Sequence, residues 1–556
     1  MPLNSKTNQV IDHIRAQDTY LSSKGYPCIS EASFRLFLDS VPHLFARGAA
    51  ILDYLDSHPA PDTPDGQRAD KVLRNLVFTA GITAPSDLWL LKHLFSTYAN
   101  LGILPSLAHK ELSLLEISKS YNLDLNLMKT DFSFFKSRGL LVEVAQDVFT
   151  AASEPHIPKS LANWHKNGHP NTIDMVEDLC RLLQGKGEQH AHDFLKLPMP
   201  IEKEPQSWVP CQMDIECGAR VVPLLLSLKV TGLLHAPTMG STLNLPELPD
   251  LYTLLTAAGI LHKKERTITR LGERVLSRGP GPMGIVHAYH AYLKVHEAKL
   301  KKEKITTWVQ RGANVAASQD ANKKTFTLGN DSLDAYCQDT GYSYDVFIEH
   351  AVGQGEATRQ RLERSGEDKI RYFGADLEDA AIDRAILQQK KGLLPKNMKF
   401  IRQADIGRPD KITDGLSQYG ASSQKAVMIV GNGFHEVRDQ SNEKMVKVFS
   451  EYAKAGILVI FTEESGLTDK DLLATGFNTY HAGFRYVHEI SGQGLRPVYD
   501  SDDCHDRLSW QTCAEKGGYE VLAKYTKKTR TIYPHPTKDG RSPAISVTYF
   551  CVPKGS

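Results

Sequence analysis

The spacing of apolar positions changes once along the chain. Over the first 300 residues it is helical, and between Ala32 and Tyr54 apolar side chains recur every three or four positions, which predicts one amphipathic helix. A second stretch, Trp89 to Leu101, predicts a helix packed inside a core. From about residue 325, short apolar runs alternate with helix-like segments. This alternation predicts a parallel sheet covered by helices on both faces.

Six strand-like runs fall in the C-terminal part of the chain. They are DVFIEHAV (345–352), KIRYFGAD (369–376), MKFIRQAD (398–405), KAVMIVGN (425–432), ILVIFTE (457–463) and AISVTYFCV (544–552). A seventh run, Thr529 to Tyr533, is joined to the last one by a turn at Lys538 to Ser542. This pair predicts an antiparallel hairpin at the edge of the sheet.

Two segments before residue 300 repeat one order of elements: two helices, a strand, a turn and a second strand. The helix pairs are Lys110 to Tyr121 with Leu125 to Ser137, and Ala219 to Leu228 with Leu248 to Ala258. In each segment a glycine, Gly139 or Gly259, ends a helix, as glycine commonly does. This order is typical of a winged helix, a variant of the helix-turn-helix.

These patterns predict three parts. Residues 1–155 form a helical domain with a winged-helix-like end. Residues 156–305 form a winged-helix-like or dimerisation domain that ends in one long linking helix, Ile285 to Lys304. Residues 306–556 form the α/β domain.

Composition and sequence pattern argue against several classes of protein. The 556 residues carry a formal net charge of +1, which disfavours nucleic acid as the main partner. The helix PELPDLYTLLTAA lacks Arg and Lys to meet phosphates. The strongest apolar run, Val221 to Leu228, is too short for a membrane span, and the N-terminus lacks a signal-peptide core. None of the eight cysteines forms a C-x-x-C pair, so we expect reduced thiols and a cytoplasmic protein.

The first strand-like run of the α/β part ends in a glycine-rich turn, Glu349-His-Ala-Val-Gly353-Gln-Gly355-Glu356. Glycine lets a backbone approach a ligand closely, and dinucleotide enzymes share this G-x-G pattern. Glu349 and Glu356 would repel a pyrophosphate and attract a cationic group. An acid at the tip of the second strand, Asp376, suits the hydroxyls of a ribose.

With Asp405 at the tip of the third strand, these features resemble class I S-adenosyl-L-methionine (SAM)-dependent methyltransferases over Leu328 to Pro553. Residues 215 to 300 extend the resemblance to small-molecule O-methyltransferases with an N-terminal winged-helix or dimerisation domain. The resemblance implies a Rossmann-like, seven-stranded α/β domain, a homodimer formed through the winged-helix region, and SAM as cofactor. It implies that SAM is bound by Glu349, Gly353, Gly355, Asp376, Asp405, Ile406 and Asn432, with Asp405 facing the adenine amino group.

The stretch after the fourth strand, GNGFHEVRD (431–439), matches the L-H-D-W-x-D stretch of those O-methyltransferases. The resemblance implies that His435 is the general base, that Glu436 is its neighbouring acid, and that Glu463 orients the base. A histidine with a pKa near neutrality suits removal of a hydroxyl proton. Val437 stands where the family has Trp, so the class of acceptor is not carried over.

The segment TYHAGFRYVHEISGQGLRPV (479–498) concentrates hydrogen-bonding side chains, which predicts a functional loop. We expect His481, Arg485, Tyr486 and His488 to bind substrate, with Arg485 or Arg496 clamping a carboxylate or phosphate. An alternative is a metal held by His435, Glu436 and one of His481 or His488, in a metal-assisted C-methyltransferase.

The sequence therefore predicts an enzyme of the EC 2.1.1 class that methylates a small molecule, at oxygen, with His435 as base and no resident metal. Two further alternatives stay open. One is a nucleic-acid or protein methyltransferase that uses tandem winged helices. The other is a SAM-binding regulator without transfer activity.

Overall fold

The structure is a computed structural model, and it describes residues 3–22, 25–162, 164, 175–187, 189–196, 205–307, 309, 311–366, 369–500, 507–532 and 544–555. The chain forms two compact units. The helical unit comprises Met1–Gln310, Asp469–Ile490 and Ile532–Pro543. The sheet unit comprises Arg311–Thr468, Ser491–Thr531 and Ala544–Ser556. Each unit therefore contains segments that are distant in sequence.

Elements are numbered in chain order. The helices are α1 (Ser5–Arg15), α2 (Glu31–Ser40), α3 (Gly48–Ser57), α4 (Pro64–Asn100), α5 (Leu104–Leu107), α6 (Leu114–Tyr121), α7 (Leu125–Ser137), α8 (His156–Ala162), α9 (Met175–Leu183), α10 (Gln189–Lys196), α11 (Gln212–Val230), α12 (Pro249–Ala257), α13 (Arg270–Arg278), α14 (Pro280–His287), α15 (His290–Lys294), α16 (His296–Leu300), α17 (Arg311–Thr340), α18 (Glu356–Ser365), α19 (Asp379–Lys390), α20 (Pro409–Gln418), α21 (Asn442–Lys454), α22 (Asp469–Thr475), α23 (His481–Ile490) and α24 (Trp510–Lys516). The strands are β1 (Thr19–Leu21), β2 (Pro27–Ile29), β3 (Leu112–Ser113), β4 (Leu141–Ala145), β5 (Val148–Ala151), β6 (Val346–His350), β7 (Arg371–Ala375), β8 (Lys399–Ile401), β9 (Val427–Gly431), β10 (Leu458–Glu464), β11 (Tyr519–Val521), β12 (Lys527–Thr531) and β13 (Ala544–Pro553).

The helical unit is built on α4, a helix of 37 residues that α11 packs against. The two helices approach closely at Gly218, where an added Cβ would lie 2.6 Å from the Cβ of Leu88. Arg138, fully buried after α7, donates to Asp87 on α4 and to the backbone oxygens of Leu472 and Gly476. The 469–490 segment thus belongs to the interior hydrogen bonding of this unit.

Two predicted helices are interrupted. The helix predicted between Ala32 and Tyr54 is split into α2 and α3, because Pro42 disfavours helical backbone at Val41, which is extended. The linking helix predicted from Ile285 to Lys304 is wrong as a single helix. It is divided among α14, α15 and α16, because the backbone at Tyr289 and Val295 lies near φ −90° to −100° and ψ 0°, outside helical geometry.

The element order predicted for the first repeated segment is present, with β3, β5 and β4 forming a small antiparallel sheet beside α6 and α7. In the second segment the strands predicted after Gly259 are reduced to isolated bridges. These join Leu261 to Ile268 and Thr242 to Thr267.

The sheet unit is a mixed α/β structure with the strand order β11-β13-β10-β9-β6-β7-β8. Strands β6 to β10 are mutually parallel, and β13 is antiparallel to β10. β11 and β12 both pair with β13. Each predicted run contains a strand, and in the part of the chain that the structure describes the sheet has eight strands instead of seven, because the three-residue β11 has too little sequence pattern. The turn predicted at Lys538 to Ser542 lies outside the described residues.

Helices cover both faces of this sheet, as the alternation predicts. One face packs against α20, α21 and α24, and the other against α17, α18 and α19. Strands β6 and β10 are buried along their whole length, so the functional groups of the sheet are confined to its ends. None of the described helices combines the length and apolar character that crossing a membrane requires.

Candidate active site

The carboxyl ends of the parallel strands meet in a cleft of the sheet unit. Its lining residues are His350, Ala351, Asp376, Leu377, Ala404, Asp405, Ile406, Gly433 and Glu436. The cleft lies where β6 pairs with β7 on one side and β9 on the other. In open α/β sheets this reversal of strand order opens the crevice in which ligands bind.

Sharp backbone turns follow three of these strands. Ala351, Gln403 and Asn432 adopt left-handed backbone with φ of 57°, 52° and 55°, a conformation that disfavours residues other than glycine. Such strain clusters at functional sites, where surrounding structure holds it. Asn432 is fixed by its backbone N–H, which donates to the oxygen of Thr462 at 2.8 Å.

Both glycines of the glycine-rich turn have left-handed backbone, which the path of the chain itself requires. Gly353 and Gly355 have φ of 51° and 78°. With a φ of 78°, Gly355 has a backbone conformation that strains any other residue, whether or not a ligand binds, and an added Cβ would lie 2.7 Å from the Leu394 side chain. Gly353 directs its backbone N–H toward the carboxylate of Asp376. Cofactor binding by Gly353 and Gly355 stays a prediction.

The Glu349 carboxylate is hydrogen-bonded inside the sheet unit, and its part in attracting the cofactor stays a prediction. Its Oε1 accepts from the backbone N–H of Ala357 at 3.1 Å, and its Oε2 from that of Thr358 at 2.8 Å. The side chain thus caps the N-terminus of α18 from inside the unit, where it is 1% exposed. Burial raises the pKa of Glu349 to about 7. Glu356 pairs with Arg359 on the same helix.

Asp376 and Asp405 both line the cleft, and Ile406 lies beside them. Asp376 Oδ1 accepts from the backbone N–H of Glu378 at 3.0 Å, and Asp405 Oδ1 from that of Gly407 at 2.8 Å. Burial raises the pKa of Asp376 to about 6, against the effect of nearby backbone N–H groups. The two carboxylates present acceptors for hydroxyl or amino groups of a ligand.

His350 is a residue of the cleft that sequence reasoning missed. It is 3% exposed, and neither ring nitrogen has a hydrogen-bond partner among the described residues. Burial lowers its pKa to about 3, so the ring is neutral at physiological pH and carries one donor and one acceptor. Its only signal in the sequence is its position beside Glu349, which a core histidine would share.

His435 and Glu463 form a buried pair at the same end of the sheet. Glu463, near the end of β10, accepts from His435 Nδ1 through Oε2 at 2.7 Å. Its Oε1 accepts from the backbone N–H of Phe434 at 2.5 Å and from that of His435 at 3.3 Å. One carboxylate therefore fixes both the short 3₁₀ turn, Phe434–Glu436, and the imidazole that this turn carries.

The segment expected to be a polar loop is instead largely helical, since His481–Ile490 forms α23 of the helical unit. Its polar side chains are buried, with exposures of 0% for His481, 5% for Arg485, 1% for Tyr486 and 0% for His488. The density of polar residues thus reflects interior hydrogen bonding in this unit, and substrate binding by these four residues stays a prediction.

The partners of these side chains lie within the helical unit. Tyr486 Oη donates to Asp131 Oδ1 at 2.8 Å, and Asp131 also accepts from Tyr98 Oη at 2.7 Å. His488 contacts Tyr289 Oη through Nε2 at 3.0 Å. Arg485 pairs with Asp469 and donates to Ser133 Oγ.

Arg496 is likewise engaged, inside the sheet unit. It is fully buried and donates to Asn442 Oδ1 at 2.8 Å and to the oxygens of Ser441 and Leu508. The alternative metal set of His435, Glu436 and one of His481 or His488 stays a prediction. His435 Nδ1 is committed to Glu463.

Comparisons with known proteins add structural neighbours. No protein-family model matches the chain, and no curated protein matches it. An O-methyltransferase family 2 protein from Planctomyces limnophilus, in complex with apigenin, is 10% identical with a TM-score of 0.35, and the match covers 86% of this chain and 95% of that one. The CurJ carbon methyltransferase is 12% identical with a TM-score of 0.33, over 69% of this chain and 91% of that one. The citrinin polyketide synthase CMeT domain is 14% identical with a TM-score of 0.32, over 68% and 94%. Similarity at this level does not identify the reaction, so the proposed chemistry rests on the residues of the cleft.

Proposed function

We propose that the chain is a SAM-dependent methyltransferase that transfers a methyl group to a hydroxyl of a small molecule. One observation carries the proposal. The turn that bears the His435–Glu463 pair also contributes Gly433 and Glu436 to the cleft lined by Asp376 and Asp405. A buried base and a set of ligand acceptors therefore share one end of the sheet, as a transfer reaction between a cofactor and an acceptor requires.

The residues of the cleft fit the adenosyl part of this cofactor. Asp376 and Asp405 offer carboxylate acceptors for ribose hydroxyls and an adenine amino group. His350 supplies a neutral ring whose two nitrogens have no partner among the described residues. Glu349 caps α18, and its part in cofactor binding is kept as a prediction. When bound, the cofactor supplies an electrophilic methyl group on a sulfonium.

The role proposed for His435 is supported by its contact with Glu463. Because Glu463 holds Nδ1 at 2.7 Å, Nε2 is the nitrogen that takes the proton from the acceptor hydroxyl as the new oxygen–carbon bond forms. The Glu463 carboxylate fixes the tautomer and stabilises the imidazolium that results. Burial of both side chains excludes water, which strengthens their interaction.

The proposal is tested with purified full-length protein. SAM binding is measured by titration calorimetry, and S-adenosylhomocysteine release is measured with hydroxylated aromatic molecules, with carbon acceptors, and with DNA, RNA and peptides. We expect SAM to bind and product to form with small hydroxylated acceptors. Product formed only with macromolecules would contradict the substrate class. Binding without product from any acceptor would favour a regulator, and absence of SAM binding would overturn the proposal altogether.

Three features accompany the proposal as predictions. Residues 1–155 and 156–305 carry winged-helix-like modules, a homodimer forms through them, and the protein is cytoplasmic. Light scattering of the purified chain checks the dimer directly.

A further inference from the structure

Three metal-ligating side chains meet inside the helical unit. The ligand atoms of His43, Cys211 and Asp214 all lie within 4.8 Å of one another. Asp214 Oδ1 lies 2.9 Å from His43 Nδ1, Cys211 Sγ lies 3.8 Å from the same nitrogen, and Cys211 Sγ lies 3.3 Å from Asp214 Oδ2. Their exposures are 5%, 0% and 4%. A nitrogen, a sulfur and an oxygen therefore converge on one buried point.

Two segments distant in sequence bring these ligands together. His43 lies in the break between α2 and α3 and has left-handed backbone with φ of 51°. Cys211 is the residue before α11, and Asp214 is in its first turn. The backbone N–H of Trp208 donates to the oxygen of Leu38 at 2.9 Å, which joins the two segments next to the cluster. No spacing motif could reveal this set, because 168 residues separate His43 from Cys211.

The distances match those of a tetrahedral zinc site. Zinc bonds of about 2.0–2.3 Å to nitrogen, oxygen and sulfur place ligand atoms roughly 3.4–3.6 Å apart in a tetrahedron. His43 Nδ1 lies 2.9 Å from Asp214 Oδ1, and Cys211 Sγ lies 3.3 Å from Asp214 Oδ2 and 3.8 Å from His43 Nδ1. Each distance is within about half an ångström of this range, so small shifts of the side chains would accommodate the ion. A mixed sulfur, nitrogen and oxygen set suits zinc better than calcium or magnesium, which prefer oxygen.

The charges also favour a divalent cation. Cys211 stands at the N-terminus of α11, where the helix dipole stabilises the thiolate form that binds metals. Zinc would bind Cys211 as a thiolate and Asp214 as a carboxylate, which together carry two negative charges. A buried pair of like charges is unfavourable unless it is compensated, and one Zn²⁺ compensates it fully.

We propose that His43, Cys211 and Asp214 bind a zinc ion, with a water molecule as fourth ligand. The ion fastens the break after α2 to the start of α11, so its role is to stabilise the helical unit. The proposal is independent of the methyltransferase function, because all three ligands belong to the helical unit and the cleft residues belong to the sheet unit.

The test uses the full-length chain without a histidine tag, purified without chelators. Mass spectrometry of metals is expected to find one zinc per chain, and a chelator is expected to lower the unfolding temperature. Cobalt added to the metal-free protein is expected to give a thiolate-to-cobalt charge-transfer absorption. Cys211→Ser and His43→Gln should bind cobalt more than about 100-fold more weakly, since losing an outer-shell partner alone costs about 10–100-fold.

Cys217→Ala is the matched control, because it removes another buried thiol of α11 that lies outside the cluster. It should keep the zinc, the cobalt absorption and the effect of the chelator. If the ligand variants fail to fold, the cobalt titration of the unmodified chain still tests the proposal. No zinc and no cobalt absorption in that chain would overturn the proposal and leave the three side chains as a hydrogen-bonded cap of α11.

Discussion

Two polar segments of this chain look alike in sequence and differ in structure. The turn at 431–439 and the segment at 481–490 both concentrate histidine, arginine and acidic residues. The first ends β9 at the carboxyl edge of the sheet, where Gly433 and Glu436 line a cleft. The second is α23, whose side chains bond to partners within the helical unit. Polar density alone therefore does not separate residues that line a cleft from residues hydrogen-bonded inside a unit, whereas position at the end of a parallel strand favours the cleft.

The sharpest test of this contrast is His435→Ala. Loss of the base should lower kcat about 10³-fold, equivalent to about 4 kcal/mol, while SAM affinity stays unchanged. Steady-state kinetics and calorimetry measure the two effects. Asp439→Asn is the matched control, since Asp439 is exposed on the same turn and asparagine tolerates its left-handed backbone. An unchanged kcat in His435→Ala would contradict the assignment of His435 as the general base.

Asp376→Asn probes the cleft itself. An amide replaces a carboxylate acceptor, and hydrogen bonds to charged groups contribute about 1.5–3 kcal/mol. We expect SAM affinity to fall about 10- to 100-fold, as measured by calorimetry. Asp379→Asn, an exposed acid at the start of α19, should leave affinity unchanged. Equal affinities for the two variants would contradict the assignment of the cleft to the cofactor.

Tyr486→Phe tests the other side of the comparison. The variant removes one of the hydroxyl donors to buried Asp131, which keeps Tyr98. The free energy of unfolding should fall by about 1.5–2 kcal/mol, because a buried charged acceptor loses a partner. Denaturant titration measures this fall. A drop in kcat with stability unchanged would instead place α23 in the active site and break the contrast.

The smallest effect concerns pH. The pKa of Asp376 is raised to about 6, and ligand hydroxyls bind its ionised form. As pH falls through 6 the proton competes with the ligand, so SAM affinity should fall about tenfold between pH 7 and pH 5. His350, whose pKa is lowered to about 3, stays neutral throughout this range. Affinity that rises on acidification would contradict the assignment, and Asp376→Asn should give a flatter profile.

The sheet was accessible from sequence because its buried parallel strands are continuous apolar runs. β11 was missed because three residues carry too little pattern, and the linking helix because its breaks arise from backbone geometry at Tyr289 and Val295. Asp376, Asp405 and the His435–Glu463 pair were found because strand ends place them.

The direction in which a side chain points was not accessible. Glu349 stands in the glycine motif, yet its carboxylate faces the backbone of α18 and not the cleft. His350, the next residue, lines the cleft and was passed over. Neighbouring residues on a strand point to opposite faces. Which of the two faces the cleft depends on the packing of the whole unit, and a short sequence motif does not contain that information.

The discontinuity of the helical unit has a consequence for synthesis on the ribosome. Arg138 is made early, but two of its acceptors, the oxygens of Leu472 and Gly476, are translated more than 330 residues later. Until then the Arg138 guanidinium cannot be buried together with these acceptors, because burial without them would leave its donors unsatisfied. An N-terminal fragment that ends near residue 310 is therefore expected not to reach the native packing of the complete unit. Native packing of this unit should follow, and not precede, translation of most of the sheet.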